Sequence, residues 1–289
     1  MDGTSPASGL PTLYEEHLVL GASFGKDAIV STYAHEASLG RPEHLSASLT
    51  DLSHMRLLLF SGADANAFAQ AAFAQEPLEV GHSSLGAVLT GDGHVASIPL
   101  LARTGSQEYV ALDLSPRADV LSAWLSFLAN VSSNGYAPYA NMDTQDATGT
   151  HVVLLLRGPA APQVLEDYLG EQTLPRAGRV ASVMLDRIPC IVLNVSEHDD
   201  LAYLVMAPPH SSVALWRSLL SFTEVTPLGT AALERLAMDR HPWLRMLFDA
   251  TGSLYIEEED LMRWGLVRKA DDFVGARALR RLDTQGGQA

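Results

Sequence analysis

Two short polar runs in the sequence carry side chains that could do chemistry. In the run Asp51-Leu52-Ser53-His54-Met55, His54 could act as a general acid or base, because imidazole titrates near neutral pH. The same run is also typical of a polar turn before a strand, in which Asp51 or Ser53 bonds to its own backbone. The structural interpretation is the simpler one for His54, since nothing else in the local pattern indicates catalysis.

The second run, Glu197 to Asp200, offers carboxylates and His198 as candidate metal ligands. It lacks the alternating acids and the glycine that organise a calcium loop, so a solvated hairpin tip explains it better. The ten histidines show no paired ligand spacing such as HxH or HExxH. We therefore expect no metal site.

Other catalytic signatures are absent from the sequence. Cys190 is the single cysteine, which excludes an intrachain disulfide, and its apolar neighbours predict a buried, inert thiol. The sequence contains no GxSxG, P-loop or GxGxxG motif, so serine hydrolases and common nucleotide sites have no local support. Gly91-Asp92-Gly93 is typical of a hairpin turn.

The composition limits the class of partner. The 289 residues include 34 acidic and 19 basic side chains, a formal net charge of −15, which argues against nucleic acid or an anionic membrane surface. The excess lies before residue 235: residues 1–234 hold 25 acids and 10 bases, and residues 235–289 hold 9 of each. No apolar run approaches the ~20 residues that span a bilayer, and no signal peptide is visible, so we expect a cytoplasmic protein.

The elements that would position these residues occur in two similar blocks, each a strand, a helix, three strands and a helix. The predicted strands are 56–60, 85–90, 95–103 and 108–114 in the first block, and 151–156, 180–185, 189–195 and 201–207 in the second. The predicted helices are 64–75 and one from residue 116, then 160–169 and 211–222. The turn glycines Gly62 and Gly158 are 96 residues apart. Short connections favour antiparallel pairing, which predicts an α+β protein with mostly antiparallel sheets.

The chain after these blocks predicts further helices. Residues 229–238 and 239–249 have helical patterns, and Glu257 to Asp260 place acids where a short helix would begin. Asp271 is a candidate cap for a last helix through Leu282. Residues 1–12 and 283–289 are predicted to be flexible terminal tails.

Several segments, in order, resemble the glycine cleavage T-protein family, the tetrahydrofolate-dependent aminomethyltransferases and their relatives. The most specific are Asp51-Leu52-Ser53-His54-Met55, which matches the family's Asp-Val/Leu-Ser-His-Met motif, and Asp272–Leu279, which resembles its Asp-Phe-Ile-Gly-Arg-Glu-Ala-Leu motif. Supporting segments are 13–22, 62–68, 91–93 and 156–161. The resemblance covers about residues 12–282.

The resemblance implies a clover-shaped fold of three leaves around a central cleft that takes the folate. It assigns residues 13–50 and 140–235 to the first leaf, and residues 51–139 and 236–282 to the second. The third, barrel-like leaf would be absent, because the sequence ends where that leaf would begin. We therefore expect a homo- or hetero-oligomer that covers the surface left open.

The departures from the family pattern fall on its site residues. Ser97 and Ile98 stand where the family has two acids, one of them catalytic, so Ser97 and His54 are the remaining catalytic candidates. The pterin-binding tyrosine falls near Leu85, and the glutamate that pairs with the pterin falls at Leu204. The remaining cofactor-binding candidates are Met55, from the Asp51–Met55 motif, and Glu197 or Asp199, which a shift in alignment would bring to the pterin.

These replacements predict a diverged T-protein-like protein of one-carbon metabolism that binds a small molecule in the cleft or serves as a non-catalytic assembly subunit. The alternative is an active folate-dependent aminomethyltransferase or methyltransferase that uses His54, Glu197 or a partner chain. Tetrahydrofolate is the cofactor that the resemblance implies, although the negative charge before residue 235 would repel polyglutamylated folate.

Overall fold

The computed structural model describes residues 11–286. The strands are β1 Ala22–Phe24, β2 Val30–Tyr33, β3 Ala47–Asp51, β4 Arg56–Gly62, β5 Ser83–Leu85, β6 Val88–Leu89, β7 Val95–Ser97, β8 Leu100–Gly105, β9 Glu108–Asp113, β10 Met142–Asp146, β11 Val152–Arg157, β12 Arg179–Leu185, β13 Ile188–Asn194, β14 Ala202–Ala207 and β15 Val225–Pro227. The α-helices are α1 Tyr14–Val19, α2 Ala65–Ala72, α3 Ala118–Ala129, α4 Ala161–Glu166, α5 Pro209–Leu219, α6 Thr230–Arg240, α7 Pro242–Asp249, α8 Glu258–Arg263 and α9 Ala276–Gly286. Short 3-10 turns lie at Lys26–Ala28, Ala34–Ser38 and Pro42–His44.

The described residues form two compact units. The first contains residues 11–54, 149–177 and 182–237, and the second contains residues 55–148, 178–181 and 238–286. The chain therefore passes between the units several times. The assignment of these units to the two predicted leaves stays a prediction.

The first unit is built on a six-stranded sheet with the order β12-β13-β14-β11-β3-β15. β11 pairs antiparallel with both β14 and β3, while β15 and β3 are parallel. Every residue of β11 and β14 is buried, as their continuous apolar sequences require. The hairpin of β1 and β2 is a separate two-stranded sheet in this unit.

The second unit is built on a five-stranded sheet with the order β10-β4-β9-β8-β5, and β6 and β7 form a two-stranded sheet. The pairs β4–β9, β8–β9, β5–β8 and β10–β4 are antiparallel. A hydrophobic cluster in the core of this unit includes Phe60, Phe68 and Phe73, together with Leu121 and Leu125 from α3. The helical spacing of these two leucines is the pattern from which α3 was predicted.

The two blocks have the same topology. The strand order β4-β9-β8-β5 in the second unit corresponds to β11-β14-β13-β12 in the first. The first strand of each block, β4 or β11, also pairs with a strand from outside its own block. β10 pairs with β4, and β3 pairs with β11. β3 is the strand directly before β4, and β10 is the strand directly before β11, so the two blocks exchange their leading strands.

The turn glycines explain how each exchanged strand is seated. Gly62 has φ +126° and a Cβ there would lie 2.4 Å from the Asn141 carbonyl oxygen. Gly158 has φ +128° and a Cβ there would lie 2.6 Å from the Ser46 carbonyl oxygen. Both glycines are therefore required by the same close backbone approach at the start of the exchanged strand. The repeat predicted from their spacing is confirmed.

Most predicted elements occur with ends shifted by a few residues, and the differences have local causes. The predicted strand 95–103 is interrupted at Ile98-Pro99, so that β7 pairs with β6 and β8 pairs with β5 and β9. The predicted strand 85–90 is similarly split between β5 and β6. The prediction that Asp271 caps the last helix was wrong, because α9 begins at Ala276. The Asp271 carboxylate instead lies 3.8 Å from the Arg280 guanidinium. α9 also continues beyond Leu282 to Gly286, and the predicted tail residues 1–10 and 287–289 lie outside the described residues.

Candidate functional site

A buried hydrogen-bonded network lies in the first unit below the Asp51–Met55 motif. His17 Nε2 lies 2.9 Å from Asp51 Oδ2, and His17 Nδ1 lies 2.8 Å from the Tyr33 hydroxyl. His17 and Tyr33 are almost completely buried, and the His17 ring packs edge-on against Trp216 at 5.0 Å between centroids. Burial and the neighbouring Asp51 and Glu36 carboxylates raise the pKa of Tyr33 well above its ordinary value, so the phenol stays protonated.

The other carboxylate oxygen of Asp51 holds the start of the motif's loop. The backbone N–H of Ser53 donates to Asp51 Oδ1 at 2.9 Å, and the Ser53 hydroxyl donates to the same oxygen. The Val153 N–H donates to Ser53 Oγ at 3.3 Å, which ties this loop to β11. The predicted Asp51 turn is therefore confirmed, and the hydrogen bond between His17 and Asp51 Oδ2 stabilises it.

His54 follows this turn and is exposed. Desolvation lowers the pKa of His54, with the Asp51 carboxylate acting in the opposite direction, so the ring is mainly neutral at pH 7. The hydrogen bonds exclude Ser53 as the nucleophile of a Ser–His–Asp triad with His17, because Ser53 donates to Asp51 and both His17 ring nitrogens are already engaged. His54 is the group in this loop that remains available to a ligand.

Ser97, the second catalytic candidate, is fully buried in the second unit. Its hydroxyl donates to Asp113 Oδ2 at 2.6 Å and lies 3.0 Å from Ser115 Oγ. The other Asp113 oxygen accepts from the Ser115 N–H at 2.8 Å. Burial raises the pKa of Asp113, although these hydrogen bonds and the Arg117 guanidinium oppose the shift. The Ser97 hydroxyl is thus committed to an internal network.

Arg117 closes the same network on its other side. Its guanidinium donates to the carbonyl oxygens of Val95, Ala96 and Gly252 at 2.8 to 3.1 Å. Desolvation lowers the pKa of Arg117, and Asp113 opposes this shift. The guanidinium and the carboxylate therefore hold β7 and the residues after β9 in place, and Asp113 itself is only 3% exposed.

Two of the predicted cofactor-binding residues lie in the second unit. Met55 is buried at the start of the unit, directly before β4. Leu85 is half-buried, pairs with Leu100 in the sheet and packs against an apolar cluster that includes Leu247 and Leu261. Neither side chain offers a hydrogen-bonding group to the edge of a pterin.

The other three predicted cofactor-binding residues lie in the first unit. Leu204 is 5% exposed in β14, opposite Leu155 and Leu193. Glu197 and Asp199 are exposed at the tip of the β13–β14 hairpin, where Glu197 and Asp200 form an antiparallel backbone bridge. The acidic run is therefore a hairpin tip, as its sequence indicated, and it is separated along β14 from Leu204.

Residues 11–286 contain no group of three His, Cys, Asp or Glu side chains that could hold a metal ion. Cys190 is 3% exposed in β13, and burial raises the pKa of its thiol to about 12, which agrees with the predicted inert residue. Within the same range, no helix has both the length and the apolar character needed to cross a membrane.

Sequence reasoning did not find the contacts that organise either network. His17 and Tyr33 were not candidates, although His17 lies in a segment that carried the family resemblance. Asp113 and Arg117 gave no sequence signal beyond two charged residues at the end of a strand and before a helix. The available signal was that Asp113 directly follows the apolar residues 109–112 of its strand, a place where a charge requires a partner.

Comparison with known proteins gives the class to which this fold and these motifs belong. The family described as GCVT N-terminal domain matches residues 13–244. The chain belongs to this family.

Individual relatives agree with that assignment. An aminomethyltransferase of Rubrobacter xylanophilus is 25% identical over 285 residues, covering 95% of this chain and 72% of the relative. One of Corynebacterium aurimucosum is 24% identical over 291 residues, covering 96% and 76%. The crystal structure of glycine cleavage system aminomethyltransferase T from Bartonella henselae superimposes with a TM-score of 0.71 at 21% identity, covering 95% of this chain and 74% of that one. The α+β, T-protein-like fold predicted from the sequence is confirmed.

Proposed function

We propose that this member of the T-protein family has lost the family's acid-assisted transfer of a one-carbon unit and serves as a ligand-binding or assembly subunit. The observation that carries the proposal is the bonding of Ser97. This residue stands where the resemblance places an acid, and its hydroxyl is buried between Asp113 and Ser115. A hydroxyl so engaged cannot act as a carboxylate base or stabilise a developing positive charge.

Asp113 does not replace the missing acid in this proposal. Its carboxylate is 3% exposed and already accepts hydrogen bonds on both oxygens. A general base must come within hydrogen-bond reach of the proton that it abstracts. Asp113 is therefore assigned to holding Ser97 and Ser115.

Tetrahydrofolate fits the predicted binding positions poorly. Leu85 and Leu204 stand at the positions of a tyrosine and a glutamate, and Leu204 is buried between neighbouring leucines of the sheet. Leaving the pterin's donor groups unpaired in a buried site would cost about 1–3 kcal/mol each. We expect weak folate binding or none, and we derive no reaction step through this cofactor.

Calorimetric titration with tetrahydrofolate, together with an assay for one-carbon transfer to it, tests the proposal. We expect no saturable heat and no transfer above a protein-free control. Transfer by the unmodified chain would overturn the proposal. A variant with Ser97→Asp and Asp113→Asn restores one acid at the aligned position without burying two charges, and Asp113→Asn alone is its control.

The alternative is an active folate-dependent aminomethyltransferase or methyltransferase that works through His54. The observation that favours it is that His54 is exposed, mainly neutral and positioned by the Asp51 turn. If the chain does transfer a one-carbon unit, His54→Gln should lower the rate by about 10²-fold or more, as loss of a general acid or base does. His44→Gln, which changes another exposed histidine in the same unit, is the matched control.

The proposal also retains the predicted homo- or hetero-oligomer. Size-exclusion chromatography with light scattering on the full chain tests it directly. A monomer at all concentrations would exclude a homo-oligomer. Only a hetero-oligomer with a different partner chain would then still agree with the prediction.

A further inference from the structure

A cavity of about 230 Å³ lies within the second unit, apart from both networks described above. Its walls come from α2, from residues 75–78 and from β8 and β9, and the residues that matter here are Gln75, Glu76, Leu78, Arg103 and Tyr109. A liquid water molecule takes about 30 Å³, so the cavity is several water volumes in size. That volume suits a very small organic molecule.

Arg103 supplies a fixed positive charge in this wall. Its guanidinium donates to the carbonyl oxygens of Leu78, Gly105 and Ser106 at 2.8 to 3.3 Å and lies 5.4 Å from the centroid of the Tyr109 ring. No carboxylate of the described residues forms a salt bridge with it. A guanidinium has five N–H groups, so two donors remain after these three bonds. A carboxylate can accept hydrogen bonds from two guanidinium N–H groups at once.

Gln75 contributes a polar group that the protein leaves unsatisfied. Its side chain is 5% exposed and lines the cavity, and its carbonyl oxygen has no hydrogen-bond partner among the described residues. A buried polar atom without a partner is rare in native structures and calls for an explanation. That oxygen is itself shielded and lies against Gly86, so a ligand in the cavity would meet the Gln75 side chain through its amide nitrogen.

Glu76 places a negative charge at the rim of the same cavity. It is exposed and precedes Leu78, whose carbonyl oxygen is bound by Arg103, so the segment carrying Glu76 is tied to the guanidinium. A simple anion on Arg103 would be repelled by Glu76. A small molecule with both a carboxylate and an ammonium group would instead satisfy both charges.

We propose that this cavity binds a small zwitterionic amino acid, with its carboxylate on Arg103, its ammonium group toward Glu76, and a polar contact to the Gln75 amide. The site is independent of the function proposed above, since none of its residues belongs to the Asp51 or Ser97 network.

Thermal unfolding and calorimetry of the full chain test the site with glycine and L-alanine as probes, and with acetate and methylammonium at equal ionic strength. Both amino acids should raise the unfolding temperature and give saturable heat, whereas either single-charge probe should bind at least about tenfold more weakly. No saturable binding of either amino acid up to about 10 mM would overturn the proposal. Equal binding of acetate would overturn the zwitterion as the ligand class.

Two variants locate the binding. Glu76→Gln breaks no hydrogen bond of the described structure and should weaken glycine binding roughly five- to tenfold, while acetate binding becomes stronger because the repulsion of a simple anion is removed. Glu171→Gln, an exposed acid of the first unit, is the matched control. Arg103→Lys keeps the positive charge but loses the paired N–H donors of the planar guanidinium. It should abolish detectable glycine binding even where its unfolding temperature shows a folded protein. Unchanged glycine affinity in Glu76→Gln would overturn the assignment.

Discussion

His17 Nε2 and Asp51 Oδ2 lie 2.9 Å apart and join two segments that are separated by 34 residues in the chain. An ionised carboxylate only accepts, so Nε2 carries a proton, and in the neutral imidazole Nδ1 then accepts from the Tyr33 hydroxyl at 2.8 Å. One buried imidazole thereby connects helix α1, strand β2 and the end of β3. The loop that carries His54 depends on this arrangement, because Asp51 also holds Ser53.

Replacing the central imidazole should be costly for stability. We expect His17→Ala to lower the free energy of unfolding by about 3 kcal/mol, because it leaves Asp51 Oδ2 and the Tyr33 hydroxyl without a partner and opens a cavity. Tyr33→Phe removes only one hydrogen bond and should cost about 1–2 kcal/mol. Urea unfolding measures both values. His44→Ala, at an exposed histidine, should change stability by less than about 0.5 kcal/mol, and an equal loss there would contradict the assignment.

The Asp113 carboxyl predicts a specific pH dependence. Because its pKa is raised above the ordinary 3.8 in the folded protein, the folded state retains a proton that the unfolded state has released. This group therefore contributes stability at low pH that is lost as pH rises from 3.8 through its folded-state pKa. Asp113→Asn cannot ionise, so its stability relative to the unmodified chain should increase over that window, by about 1.4 kcal/mol for each tenfold change in proton affinity.

Unfolding curves at several pH values between about 3.5 and 7 provide the measurement for Asp113, since this range brackets the ordinary carboxyl pKa. Asp143→Asn, at an exposed strand residue, supplies the baseline for replacing an acid by its amide. A constant difference between Asp113→Asn and the unmodified chain at all pH values would show that the carboxyl is not preferentially protonated in the folded state.

The two turn glycines should behave as a pair. Gly62→Ala and Gly158→Ala each force a left-handed φ on alanine and drive its Cβ into a backbone carbonyl, so we expect each to cost about 2–4 kcal/mol. Gly91→Ala meets no atom within 4 Å and is the control. If either turn variant retained the stability of the control, the close backbone approach at that turn would be refuted.

The buried thiol should be a reporter of unfolding. Since burial raises the pKa of Cys190 to about 12, very little thiolate forms at pH 8 in the folded protein. Reaction with a disulfide reagent should be slow in buffer and become rapid through the guanidinium unfolding transition. Rapid modification of the folded chain at neutral pH would show that β13 opens readily.

The sequence was most informative where the signal was local or periodic. The repeated blocks, the helix α3 and the 91–93 hairpin follow from apolar spacing and turn residues, and they were predicted near their observed positions. The strand predicted at 95–103 failed because Pro99 has no N–H for a ladder, and the chain changes pairing partners there. Apolar periodicity continues across such a break and so conceals it.

The site was harder to predict than the fold for a physical reason. The Ser97–Asp113 and His17–Asp51 bonds join residues 16 and 34 positions apart, and no local pattern specifies which polar groups meet inside a core. Family resemblance indicated which positions had changed, such as Ser97 and Leu204. It could not indicate that Ser97 is held by a second, buried acid, because that contact is a property of the packed strands.

The exchange of leading strands has a consequence for how the protein is made. β3 emerges from the ribosome before β4 but finds its partner only in β11, more than 100 residues later, and β15 must follow before its other edge is paired. During synthesis the edges of β3 therefore remain open until most of the chain has appeared, an exposure that favours aggregation or holding by a chaperone. Cutting the chain between α3 and β10 would separate each exchanged strand from its sheet, so fragments made at that point should fail to fold on their own.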